Sequence, residues 1–396
     1  MSVPHVSLFS QLLGEIDRHF FQRLVRQSGA EKNAKGFASW DQFVAMMFCQ
    51  LAQAKSLREI ETGLRACEGK LRHLGLSKAP GRSTLSYANA HRPWQLYEGL
   101  FEAQLARCQQ VAPGKKFRFK NKLYSMDATV VELCASMFDW ATYRKAKGAV
   151  KLHLLLDHDG YLPVFAHITE GRVADVKVAQ ALDLPKGSIV AMDRGYIDYR
   201  LFERWSQKGV FFVTRLKKNA DIYVVEKREV PGGSTVLSDE IIEFNVFQAG
   251  RTIKRQYRRV KVSIEEKDEP LVLLTNNLKL AASTIAAIYK ERWQIELFFK
   301  ALKQNLRIKT FVGTSANAVR IQIWTALISA LLLKMLQFRS KLGWALSNLV
   351  ALLRWNLFTH RNLWRWINDP FDSPANAPPD NQLGLNLDSM PKTTAT

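Results

Sequence analysis

The chain has 396 residues, 47% of them hydrophobic, enough for two or three domains with cores of their own. Its 57 Lys and Arg outnumber 36 Asp and Glu, giving a formal charge of +21, so a polyanion such as nucleic acid is the expected partner. No clustered polybasic amphipathic segment points to a membrane surface, and four scattered cysteines, Cys49, Cys67, Cys108 and Cys134, assemble no zinc motif and read as reduced thiols. Residues 1–11 lack the basic start and apolar run of a signal peptide. The longest uncharged apolar run, 321–333, is short of the roughly 20 residues of a bilayer span and reads as a buried helix.

Residues 1–110 read as all-helical. Apolar periodicity runs from Leu8 to Val25. Ser39 is a natural N-cap for a helix reaching Ala52, and Ser56 with Glu59 has capping-box spacing for another. After the breaker around Pro80 and Gly81, a helix is predicted over 83–90, ended before Pro93. Short helices, tight turns and a basic loop before a Ser/Thr-rich helix start suit a helix-turn-helix reader of DNA. They suit a plain helical packing domain equally well. Residues 111–122 form a basic linker with two interleaved phenylalanines, Phe117 and Phe119.

Strands follow at 123–131, 150–156 and 162–168, the last two joined by a turn at Asp157, His158, Asp159 and Gly160. A helix is predicted over 175–182. A short apolar strand, 187–192, then runs into Asp193, Arg194 and Gly195. A helix over 199–207 and a strand over 210–213 complete an α/β order with mixed pairing. Residues 219–268 break this rhythm with strands at 222–225, 241–247 and 260–264, a β-rich insert whose Gly232–Gly233 tip is expected to be exposed. A strand at 271–275 and a helix over 289–303 come next. Helices at 319–338, 344–353 and 363–367 make a C-terminal helical region, 311–368, and the tail 369–396 has the composition of disorder.

The helix over 289–303 holds the densest chemistry. It has no Pro or Gly, and Ile288, Ile295, Phe298, Phe299 and Leu302 share one apolar face. Tyr289, Arg292, Glu296 and Lys303 fall within a sector of roughly 60° beside that face. A carboxylate there can hold a hard metal ion, and cations and a phenol can hold phosphate oxygens. A solvated rim with an ordinary Glu296–Lys300 pair fits the same letters. Two further acids stand out by position: Asp127 inside an apolar strand and Asp193 at the C-terminal end of another. Buried acids are expensive unless paired or metal-bound; a strand-edge acid facing water and a turn acid capping the next helix are the plain alternatives. Asp157, His158 and Asp159 are assigned to the hairpin turn rather than to a metal, Glu132 and Asp139 to solvent beyond the strand, and Gly232–Gly233 to a loop tip without a phosphate-binding role.

Ser125-Met126-Asp127-Ala128-Thr129, Ala191-Met192-Asp193-Arg194-Gly195-Tyr196 and the spaced set Tyr289, Arg292, Glu296 and Lys303 resemble, in order and spacing, the three signature blocks of insertion-sequence-4-type DDE transposases. The resemblance covers about 120–310 and, less specifically, the N-terminal helices. It implies an α/β fold: an RNase H-like mixed sheet with flanking helices over 123–310, interrupted by the β-rich insertion 219–268 and preceded by a DNA end-binding domain at 1–110. It implies Asp127, Asp193 and Glu296 as catalytic ligands of Mg2+, with Mn2+ as a substitute, and Tyr289, Arg292 and Lys303 as DNA-phosphate contacts. The implied reaction is cut-and-paste movement: cleavage at the terminal inverted repeats, then attack of the freed 3′-hydroxyl on target DNA. A homodimer would hold the two ends in a synaptic complex, and the protein would be bacterial, cytoplasmic and nucleoid-associated, with no membrane partner. Some members hold a flipped base with a tryptophan in the insertion. Here no tryptophan lies between Trp205 and Trp293, and Tyr223, Phe244, Phe247 or Tyr257 would have to replace it. The rival readings are an RNase H-like nuclease or resolvase without strand transfer, and a non-catalytic DNA-binding derivative.

Overall fold

The computed structural model describes residues 6–32, 34–114, 121–134, 142–144, 147–230, 234–248, 251–264, 267–308 and 310–371. The N-terminal part is helical: α1 (Leu8–Leu13), α2 (Arg18–Ser28), α3 (Ser39–Leu51), α4 (Leu57–Arg65), α5 (Arg82–His91) and α6 (Gln95–Val111), with a 3-10 segment Glu68–Leu74 after α4. Local chemistry sets the starts. Asp17 Oδ1 accepts the otherwise unpaired amides of His19 and Phe20 at 2.9 and 3.0 Å. Ser56 Oγ accepts from Glu59 N–H at 3.1 Å, while Glu59 Oε2 takes the Lys55 amide at 2.8 Å. The cap expected at Ser39 lies one residue earlier: Ser39 is already helical and buried, and the Asp41 carboxylate takes the Ala38 amide at 3.2 Å.

The chain continues through β1 (Leu123–Cys134), β2 (Thr142–Arg144), β3 (Lys147–Asp157), β4 (Leu162–Glu170), α7 (Asp175–Ala181), β5 (Ile189–Met192), α8 (Tyr199–Gln207) and β6 (Phe211–Arg215). Then come β7 (Tyr223–Arg228), β8 (Val236–Gln248), β9 (Arg251–Ile264), β10 (Lys267–Thr275), α9 (Ala282–Glu291), α10 (Trp293–Asn305), α11 (Ala316–Arg339), α12 (Leu346–Asn356) and α13 (Leu363–Trp366). The strands join one sheet in the order β2, β3, β1, β5, β6, β10, β9, β8, β7, with β4 also paired to β3. The segment β4–β3–β1 is antiparallel, and β1, β5 and β6 are parallel. Parallel neighbours need a crossover, and α7 and α8 supply the helices. This is the mixed α/β sheet with flanking helices expected from the sequence. The β-rich stretch is not a module apart: β9 pairs with β10, so the β8–β9 hairpin and β7 carry the same sheet onward past β6.

Alternation along β1 divides the two faces. Tyr124 and Met126 pack with Val178 of α7 and Leu201, Phe202 and Trp205 of α8. Leu123 packs with Ile285 and Ile288 of α9, while Val131 and Leu133 join the helical core. That core is centred on α11. The helix is long and apolar enough to cross a membrane, but 89% of its apolar window is buried inside the fold, against α3, α5 and α6 among others. Apolarity all round is what a central core helix requires. Two of its hidden polar side chains bond to backbone: Gln322 Nε2 donates to the carbonyls of Arg307 and Thr310 at 2.7 Å, and Ser329 Oγ to that of Thr325 at 2.8 Å. N-terminal and C-terminal helices therefore share one core, which also takes in Ile295, Phe298, Phe299 and Leu302 of α10. Glu132, expected beyond the strand, is still inside β1 with its side chain exposed. Asp139, the tip at 232–233, the linker residues 115–120 and residues 372–396 lie outside the described residues.

Candidate active site

Two adjacent strands and one helix build the site. In the parallel β1–β5 pair Met126 stands opposite Met192, so the next residues, Asp127 within β1 and Asp193 just past β5, follow side by side where the parallel pairing stops. Met126 and Met192 face the α7–α8 core, so by alternation both aspartates belong to the other face, the one covered by α9 and α10. Asp193 Oδ1 accepts from Gly195 N–H at 2.5 Å, and the Asp193 carbonyl accepts from Thr214 Oγ1 at 3.1 Å. A Cβ on Gly195 would stand 2.8 Å from that same Oδ1, so the glycine leaves the carboxylate its position.

The helix predicted over 289–303 is two helices. The chain turns at Arg292, which has φ −52° and ψ −30° and caps both α9 and α10. Its amide donates to Tyr289 O, and the Ile295 amide donates to Arg292 O, both at 3.2 Å, a tight three-residue spacing. Tyr289 thus ends up on α9, Glu296 in the first turn of α10 and Lys303 in its last. The buried face Ile295, Phe298, Phe299 and Leu302 seats α10, and Lys303 Nζ donates to Val130 O of β1 at 3.1 Å.

Arg292 is the electrostatic centre. Nη2 donates to Glu296 Oε1 at 2.6 Å, Nη1 lies 3.6 Å from Asp127 Oδ2, and the guanidinium carbon is 5.6 Å from the Tyr289 ring centre. Burial pushes the Asp127 carboxyl up to about 6; the Ala128 amide and Arg292 oppose this, while Asp193 and Glu296 add to it. Burial also raises the Tyr289 phenol, with Arg292 and Arg215 opposing. The structure therefore brings Asp127, Asp193, Glu296, Tyr289 and Arg292 into one electrostatic neighbourhood, with Lys303 a helix length away, anchored on β1. Among the described residues no three His, Cys, Asp or Glu side chains form a ready-made metal group. The donor chemistry nevertheless suits a hard divalent cation. Carboxylate oxygens of Asp127 and Glu296 converge on one positive charge, and a cation beside Asp127 would offset the burial that, with Asp193 and Glu296, disfavours its ionised form.

Several residues passed unremarked in the sequence. A cleft of about 860 Å3 beside the elbow is lined by Arg215, Glu269, Tyr289, Lys290, Arg292 and the exposed Trp293. Arg215 had a readable signal, its place at the end of β6 next to the strand that carries Asp193. The Asp157–Gly160 turn forms as expected, with Asp157 Oδ1 accepting from Asp159 N–H at 3.0 Å and Gly160 at φ +78°. Asp157 and His158 are buried, however, and Lys122 Nζ pairs with Asp157 at 2.8 Å. Of the aromatics weighed as base holders, Phe244 and Tyr257 are core residues packed with Phe202 and Phe212, because the inner face of β8 and β9 lies over α8. Tyr223 is exposed, and the Phe247 side chain lies outside the described residues.

Comparison with known proteins adds an independent line. A family profile described as a transposase DDE domain matches residues 118–332, and a second, described as a domain of unknown function (DUF4372), matches 5–77. The chain is similar to putative transposase y4zB of Sinorhizobium fredii, with 30% identity over 76% of this chain and 84% of the relative. It is similar to the probable transposase for insertion sequence element IS5377 of Geobacillus stearothermophilus, with 28% identity over 65% and 68%. A putative transposase for insertion sequence element IS4SA of Synechocystis sp. is 23% identical over 66% of this chain and 73% of its own length.

Proposed function

This chain belongs to the DDE transposase family, and from that premise we propose that Asp127, Asp193 and Glu296 are the catalytic centre with which this DNA transposase cuts and joins the ends of an insertion sequence. The observation that carries the reading is the register of β1 on β5: it sets two carboxylates together under a helix whose Glu296 shares Arg292 with Asp127. Mg2+ is the cofactor in this reading, with Mn2+ able to substitute, held by the three carboxylates. Bound there it supplies activation of a water or a 3′-hydroxyl and stabilisation of the leaving oxygen of a phosphodiester.

The chain's own residues bind and orient the DNA. Tyr289 and Arg292, on the wall of the cleft, hold phosphates of the terminal inverted repeat. Lys303 is the third phosphate contact in this reading. The helices of 1–110 bind the element end, two copies of the chain hold two ends together, and the protein works on the nucleoid in the cytoplasm.

A strand-transfer assay tests this, using a duplex that ends in the inverted repeat read from the DNA flanking the gene, with Mg2+ at a stated low salt. Wild type is expected to yield joined products, and Glu296→Gln to bind the duplex without cutting it. Joining by Glu296→Gln would remove Glu296 from the site. Cutting without joining in wild type would identify a nuclease or resolvase, and binding without cutting a non-catalytic derivative.

A further inference from the structure

Turn residues are ordinarily solvated, yet Asp157 and His158 are 2% and 1% exposed. His158 N–H donates to Leu123 O at 3.1 Å, which holds the turn on the start of β1. His158 Nε2 lies 2.7 Å from Ser125 Oγ on β1, and Nδ1 lies 3.7 Å from Glu291 Oε2 at the end of α9. Burial lowers the imidazole pKa to about 4, so the ring is neutral and carries one N–H. With Ser125 Oγ donating to Nε2, that N–H sits on Nδ1, where the Glu291 carboxylate is the nearest acid, 3.7 Å away and beyond hydrogen-bond length. Tyr161 Oη donates to the same carboxylate oxygen at 3.5 Å, and its ring stands edge-on to the imidazole at 5.4 Å.

Both ends of this link lie within two residues of an active-site group. Ser125 precedes Asp127 by two residues and lies on the same face of β1. Glu291 immediately precedes Arg292, the residue at the elbow that reaches both Asp127 and Glu296. We propose that His158 is a positioning residue, tying β1 to the α9–α10 elbow and so setting Arg292 and Glu296 against Asp127. The proposal rests on the reading of the three acids as the catalytic centre. Tyr161 completes the link, since it touches both the imidazole and the Glu291 carboxylate.

Glu291 gives the decisive variant, because its side chain is 28% exposed and its truncation leaves no buried void. Glu291→Ala and His158→Ala are each expected to lower the single-turnover cleavage rate by about 10–100-fold, with affinity for the inverted-repeat duplex held within about twofold. Residues acting as one unit give non-additive losses, so the double variant should be no slower than His158→Ala alone. His158→Asn, which keeps an amide donor near the Nδ1 position, should recover more rate than His158→Gln, which does not. Hydrogen exchange without DNA provides a readout separate from activity: amides from Arg292 to Glu296 should exchange faster in both alanine variants. Wild-type cleavage and unchanged exchange in Glu291→Ala would overturn the proposal, whether or not His158→Ala folds. A wild type that neither cuts nor joins would sink the functional reading instead, and the exchange arm would still decide the link.

Discussion

Asp127 carries its charge among two other carboxylates in a partly buried site, and burial, with those charges, raises its pKa from 3.8 to about 6. An acid whose folded pKa is raised holds its proton more tightly folded than unfolded, so stability falls as pH rises from 3.8 to about 6 and stays lower above that window. Asp127→Asn removes the penalty. In metal-free protein it should stabilise by about 1–3 kcal/mol at alkaline pH and by nearly nothing below both pKa values, read from thermal melts, while cleavage is lost. The same ionisation shapes activity in the wild type: the rate should fall as pH drops through about 6 and the limb should shift to lower pH as metal concentration rises, because cation and proton compete. Gly195 is the second residue whose chemistry is local. Its missing Cβ leaves room for Asp193 Oδ1, so Gly195→Ala should displace that carboxylate and slow cleavage about tenfold or more with little change in melting temperature.

At the scale of elements, the β8–β9 hairpin is held by a buried bidentate pair. Arg258 Nε and Nη2 donate to Asp239 Oδ1 and Oδ2 at 2.7 and 2.6 Å, and Nη1 donates to Leu280 O at 2.5 Å, just ahead of α9. Removing the guanidinium would strand Asp239 in the interior. Arg258→Ala should therefore cost about 3–5 kcal/mol in chemical denaturation, and Arg258→Lys should restore little, since an ammonium cannot reproduce the fork. Most elements were legible because their periodicity is local: the α8 bounds, the β3–β4 turn and the Ser56 cap all follow from neighbours in sequence. The elbow at Arg292 was not. Good helix formers run straight through it, and no Gly or Pro marks a break. The break is a single tight three-residue turn between α9, which packs on β5 and β6, and α10, which docks on β1.

Across the whole molecule, the expected separation of an N-terminal helical domain from a C-terminal helical region takes a different physical form. α11 threads between them, and one apolar core joins α1–α6, α10, α11 and the inner face of β1 and β3. Leu331, fully buried at the middle of α11, tests this. Leu331→Ala should cost about 2–5 kcal/mol and lower one cooperative transition in which both helical regions melt together. Two separable transitions, followed by hydrogen exchange on α3 and α12, would contradict a shared core. The same packing explains why so apolar a helix belongs inside the protein: its faces are covered by α3, α5, α6, α10 and α12 and by the shared core.

By itself the sequence determined the chemistry available: a strongly basic chain, two acids at strand positions, a third on a helix beside Tyr289 and Arg292, and turns and caps wherever short-range hydrogen bonding decides. Spacing within a few residues carries that information, because helix and strand periods and side-chain caps are local effects. Only the tertiary structure decided that Asp127 and Asp193 follow matched methionines on adjacent parallel strands, that Arg292 lies within reach of two carboxylates where α9 gives way to α10, and that His158 lies between Ser125 and Glu291. Those relations join residues far apart in the chain. They are set by strand register and by the burial of apolar faces, which no local spacing encodes.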